Sequence, residues 1–94
     1  MEKHEYKEKA KKNIDDLFVK IEELEQKKEK AKEQSKAKYD EMITDMKLMK
    51  EDMLAKYKAL ENSSEEEWKE KKEILNSSME SFKEGLSKLS SLFK

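Results

Sequence analysis

Apolar side chains recur every three or four positions along most of the chain. The first stripe runs Tyr6, Ala10, Ile14, Leu17, Ile21, Leu24, then Lys28, Ala31 and Ser35, then Tyr39, Met42, Met46, Met49, Met53, Tyr57 and Leu60. From Ile14 to Leu60 it takes 13 steps over 46 residues, an average of about 3.5, the period of helices packed along a seam. Consecutive four-residue steps at Ala31-Ser35-Tyr39 and Met49-Met53-Tyr57 relax a left-handed supercoil locally. Neither Gly nor Pro interrupts this segment, so the pattern predicts one helix over about 3–61, about 90 Å long.

Asn62-Ser63-Ser64-Glu65-Glu66-Glu67 is the punctuation. Ser63 with Glu66, or Ser64 with Glu67, forms the S-x-x-E capping box, and three acids suit the positive end of a new helix dipole. A break at 62–64 and a second helix over about 65–93 follow. That helix carries Trp68, Lys72, Leu75, Met79, Phe82, Leu86, Leu89 and Phe93 in unbroken four-three steps. Phe18, Ile43, Leu48, Leu54, Ile74 and Leu92 broaden the stripes, as suits helices touching two neighbours. Eight Glu/Asp-to-Lys pairs at i,i+4 (5–9, 8–12, 16–20, 23–27, 52–56, 65–69, 67–71 and 84–88) are placed to add a few tenths of a kcal/mol each.

The expected fold is all-α: a long helix and a shorter antiparallel one, a helical hairpin in a single domain. A hairpin closing at Asn62 lays the second helix on residues 33–61 and leaves Tyr6, Ile14, Leu17, Phe18, Ile21 and Leu24 uncovered. So large a stripe calls for a partner, and a second copy is the simplest. The small residues Ala31 and Ser35 mark where two long helices can cross, which predicts an antiparallel homodimer of coiled-coil or bundle type.

Composition changes this picture little. Charged residues make up 48% of the 94, and apolar ones 34%. Mixed charge signs and a strict helical period favour folded helices over disorder. The 22 basic residues are all Lys, against 23 acids, for a formal charge of −1. That balance supplies no field for nucleic acid and no Arg fork for base readout. Without Cys there is no disulfide, zinc-thiolate or thiol chemistry. No apolar run approaches the ~20 residues of a membrane span. The opening Met1-Glu2-Lys3-His4-Glu5-Tyr6 lacks the apolar stretch of a signal peptide. A cytoplasmic setting is expected.

Candidate chemistry is thin. Met42, Met46, Met49 and Met53 offer soft sulfur for Cu(I), or an adaptable peptide groove. They continue the apolar stripe without a shift, so they read as core. His4, the only histidine, lies in a terminus expected to fray, with no other ligand near. Di-iron bundles need inward Glu-x-x-His pairs, which are missing here. No phosphate loop or nucleophile elbow is present, and the serines have no His base. No catalytic, cofactor or metal residue is assigned. Trp68 is expected to plug the hairpin end against Tyr57 and Leu60. Gly85 suits a kink or the close approach of a partner backbone, and since Leu86, Leu89 and Phe93 keep register the helix is expected to continue. The tail from Ser81 to Lys94 has Phe, Leu, Lys and Ser at a spacing that could lie in a membrane interface; packing on the first helix is the simpler reading.

His4-Glu5-Tyr6-Lys7-Glu8-Lys9, the Ala31-to-Tyr39 run, the Leu60-to-Trp68 junction and Ser81-Phe82-Lys83-Glu84-Gly85 together resemble a family of short bacterial coiled-coil proteins labelled stress-response or apolipoprotein-like. The resemblance spans most of the chain, although the opening matches in part and the middle is unusually Met-rich. It implies a non-enzymatic, stress-associated role and brings no catalytic residues. The functional expectation is a self-associating structural or interaction protein whose other partner is unidentified. The alternative is a peripheral lipid-surface protein using an amphipathic face.

Overall fold

The computed structural model describes residues 2–91. They form three helices: α1 (Lys3–Lys28), α2 (Glu33–Glu61) and α3 (Trp68–Ser91). No strand occurs among the described residues. Phe93 and Leu92, placed on the second helix by the periodicity, lie outside them.

The expected helix over 3–61 is two helices. The chain leaves α1 through bonds that tighten from i−4 to i−3: Glu29 N–H to Gln26 O at 3.3 Å, Lys30 to Lys27 O at 3.0 Å and Ala31 to Lys28 O at 3.0 Å. Lys32 then turns extended (φ −65°, ψ 146°) and α2 begins. Energy explains the correction. A straight rod would expose Ile14, Leu17, Ile21 and Leu24, whereas the turn buries all four to 6% exposure or less. Each such side chain is worth about 1.5–3 kcal/mol when buried. The few helical hydrogen bonds given up are worth about 0.5–1.5 kcal/mol each.

The second junction takes up the whole polar run, 62–67, so the helix expected from about 65 begins at Trp68; Ser64 with Glu67 supplies the box. Ser64 Oγ accepts from Glu67 N–H at 3.3 Å and donates to Glu67 Oε1 at 3.1 Å. Ser63 turns back and donates to Leu60 O at 2.5 Å, closing α2. Glu66 is exposed. Backbone bonds from Glu67 and Trp68 to Ser64 O lead into α3.

Pairings across the bundle fix the directions. Lys7 meets Glu61 and Lys28 meets Asp40, so α1 and α2 are antiparallel. Tyr6 meets Asn76 and Phe18 meets Phe82, so α1 and α3 are parallel. The body is elongated, 51 × 17 × 16 Å, and one core runs its length from Tyr6 and Trp68 to Leu24, Tyr39 and Leu89. Phe82, Ile14, Met53, Leu60, Leu75 and Leu89 are its most enclosed side chains.

Of the eight expected helix-surface pairs, Asp52–Lys56 forms, at 2.7 Å. Among the described residues the others form no ion pair. Lys11 bridges Asp15 instead, at 2.7 Å. Such exposed pairs are worth so little that rotamer entropy competes with them.

Candidate functional site

The stripe residues converge within one chain. Tyr6, Ala10, Ile14, Leu17, Ile21 and Leu24 of α1 are buried, with Phe18 packed beside them. From α2, Tyr39, Met46, Met53 and Leu60 are buried, while Met42, Met49 and Tyr57 are half-buried. From α3, Trp68, Leu75, Met79, Phe82, Leu86 and Leu89 complete the core. The face expected to need a second copy is therefore covered by α2 and α3. Ala31 and Ser35 are half-buried at the α1–α2 turn rather than at a crossing of two rods. Ile43, expected on a flank, is 3% exposed, and the polar Ser78, which no apolar stripe marks, is buried.

Trp68 makes its ring contact with Tyr6, centroids 6.4 Å apart. Lys72 Nζ lies over both rings, at 5.5 Å from Tyr6 and 5.9 Å from Trp68. The Tyr6 hydroxyl donates to Asn76 Oδ1 at 2.5 Å. Burial, seconded by the nearby Glu73 carboxylate, pushes this phenol up to about 12. Gly85 lies inside a continuous α3. A Cβ added there would collide with Met46 Sδ, come within 3.2 Å of Met46 Cε and within 3.9 Å of Met49 Sδ. The neighbours of Gly85 are thus methionine side chains of the chain's own α2, where a partner backbone or a kink was expected. His4 sits in the first turn of α1, 3.1 Å from Glu8, and both are well exposed.

Charge is distributed unevenly between the seams. Three ion pairs cross α1–α2: Lys7–Glu61 at 3.3 Å, Lys28–Asp40 at 2.6 Å and Lys47–Glu25 at 2.7 Å. The hydrogen bond to Asp40 raises the pKa of Lys28. Lys50 Nζ rests 4.4 Å above the Phe18 ring on the same side. Among the described residues no ion pair crosses α1–α3. There, a groove of about 340 Å³ is lined by Leu17 and Lys20 from one helix and by Lys83, Leu86, Ser87 and Ser90 from the other. The carboxylate nearest Lys83 is Glu80 on its own helix, at 3.8 Å. That Lys20 and Lys83 line one groove leaves no mark in the sequence, because it depends on α1 folding back onto α3.

No group of three or more His, Cys, Asp or Glu side chains among the described residues is placed to hold a metal ion. No helix among them is long and apolar enough to cross a membrane. Compared with known protein families, with curated proteins and with solved structures, the chain shows no match.

Proposed function

We propose that this protein is a non-enzymatic helical interaction module that engages acidic groups of a partner protein at the α1–α3 groove. The observation that carries the reading is the pair Lys20 and Lys83 flanking a groove that no acid lines, while α1 neutralises its other seam. Lys20 and Lys83 are exposed, and solvated ammoniums beside a groove are suited to weak, salt-sensitive recognition of carboxylates. Most of the apolar stripe is spent on the internal core, while Leu48, Leu54 and Ile74, expected to broaden it, stay exposed with Val19; they are scattered, so contacts fall to the exterior and the grooves. The resemblance to stress-response coiled-coil proteins supports a stress-associated setting, and the Cys-free composition supports a cytoplasmic one.

An amide NMR titration with a Glu-rich helical peptide tests this. Shifts confined to residues 17–20 and 83–90, weakened in Lys20→Glu/Lys83→Glu but kept in Lys28→Glu/Lys47→Glu, are expected. Shifts spread over the whole surface, or none at low salt, would overturn it. Equal or stronger perturbation by anionic vesicles would favour the lipid-surface reading. That reading asks more of α3, whose apolar face (Met79, Phe82, Leu86, Leu89) is buried in the bundle and would have to undock first.

A further inference from the structure

The two junctions are built differently. The α2–α3 junction is held by side chains: Ser63 closes one helix and Ser64 opens the next. The α1–α2 junction has no side-chain cap of that kind; the exposed Lys28–Asp40 pair, at 2.6 Å, ties the helices across it. Neither Lys32, the N-cap of α2, nor any other side chain caps that start, and Glu29 keeps right-handed helical angles (φ −60°, ψ −25°). No non-glycine residue in the described chain has positive φ. The residues from Lys27 to Lys36 are Lys, Glu, Ala, Gln and Ser, mostly good helix formers. The stripe also keeps phase across the turn, through Lys28, Ala31 and Ser35. Local sequence thus asks for helix where the fold has a bend, and the bend is retained because it lets α1 cover α2 and α3.

A second copy can supply the same cover. If the bend straightens, α1 and α2 become one rod, and α1 docks on the α2–α3 pair of the other chain with every core contact kept. We propose that residues 29–32 are an exchange hinge, and that the partner this hinge admits is a second copy of this chain, which swaps α1 to give a two-fold antiparallel dimer. Short hinges at odds with their local preference invite such exchange. The dimer exchanges one set of contacts for an identical set and converts the bend to helix. Concentration and the freedom lost on association therefore set the balance between the two forms. The proposal deepens the interaction reading by naming one partner. It does not involve the groove lysines, so either idea can fail alone.

Spin labels on Glu5→Cys/Lys58→Cys, in a chain that has no other Cys, give the test. In the folded-back form the two sites are neighbours, since Lys7 and Glu61 touch at 3.3 Å. In the straightened rod they stand about 80 Å apart, 53 residues at about 1.5 Å each. Labelled chains are refolded at millimolar concentration with excess unlabelled chain, and monomer and dimer are separated. A dimer with the long intrachain distance is expected, beside a monomer with the short one. Inserting Gly-Gly between Lys30 and Ala31 is expected to cut the dimer fraction at least about tenfold, since flexible residues favour the fold-back. Deleting residues 29–32 should leave dimer as the main folded species. A dimer keeping the short intrachain distance would overturn the proposal. So would a deletion variant that is folded and monomeric, or a wild-type chain that stays monomeric throughout.

Discussion

Helix α1 has two flanks, and they are satisfied in different ways. Toward α2 it sets salt bridges: Lys7 to Glu61, Glu25 to Lys47, Lys28 to Asp40. Toward α3 it sets rings and an amide: Tyr6 on Trp68, Phe18 edge-on to Phe82 at 6.2 Å, and the Tyr6 hydroxyl on Asn76. The ionic flank is mostly solvent-exposed, where a pair is worth about 0–1 kcal/mol. It selects the register of α1 on α2 more than it stabilises the docking. The aromatic flank buries large surfaces, and ring pairs add about 0.5–1.5 kcal/mol beyond area. The lesson is that charge tells α1 where to lie and aromatic packing keeps it there.

That contrast can be broken at its strong side first. Phe82→Ala removes a fully buried ring from the aromatic flank and is expected to cost about 3–5 kcal/mol. In a domain whose total stability is on the order of 5–15 kcal/mol, the urea midpoint should fall steeply. A loss under 1 kcal/mol would show that Phe18 and Phe82 do not anchor α1.

Gly85→Ala comes next. The methyl favours helix by about 1 kcal/mol but meets buried Met46, and overpacking costs about 1–3 kcal/mol. A net loss of about 1 kcal/mol is expected. In a Met46→Ala background the same change should stabilise. Additive effects in that double-mutant cycle would refute the contact.

Tyr6→Phe deletes the hydroxyl shared between Asn76 Oδ1 and, more distantly, Lys72 O, and should cost about 1 kcal/mol. It also sharpens the comparison through pH. The folded-state phenol is raised to about 12 from an ordinary value of 10.0, so above pH 10 the unfolded chain gives up the proton first. The stability linked to this group is complete below pH 10 and disappears as pH rises to about 12. Wild type should lose stability over that window, and the difference between wild type and Tyr6→Phe should shrink. Denaturant titrations at several alkaline pH values read it.

The smallest effect belongs to the ionic flank. A double-mutant cycle on Lys47 and Glu25 should give a coupling of about 0.5 kcal/mol at low salt and near zero at high salt. A coupling above 2 kcal/mol would reverse the division of labour between the flanks.

Much of the helical content was legible from period alone. Ile14, Leu17, Ile21, Leu24, Leu75, Phe82 and Leu89 repeat with the turn of a helix, and they are core. The Ser64–Glu67 cap could be read because its hydrogen bonds are local. The bend at 29–32 could not be read the same way, since its cause lies in the tertiary structure. Its marks were faint: two lysines in the last turn of α1, Glu33 in the first turn of α2, and the loss of large apolar residues between Leu24 and Tyr39. Such a loss suits a crossing of two rods as well as a corner, and period alone does not choose between them. The covering of residues 6–24 by the same chain and the groove shared by Lys20 and Lys83 both follow from the corner, so neither is legible without it.

Trp68, the single tryptophan, touches the first turns of α1 through Tyr6 while standing at the start of α3. Its emission therefore gauges the seating of one end of the chain on the other without any added dye. Excitation of the tyrosines should pass energy to it in the native fold, and quenchers dissolved in water should reach it poorly until α1 lifts away.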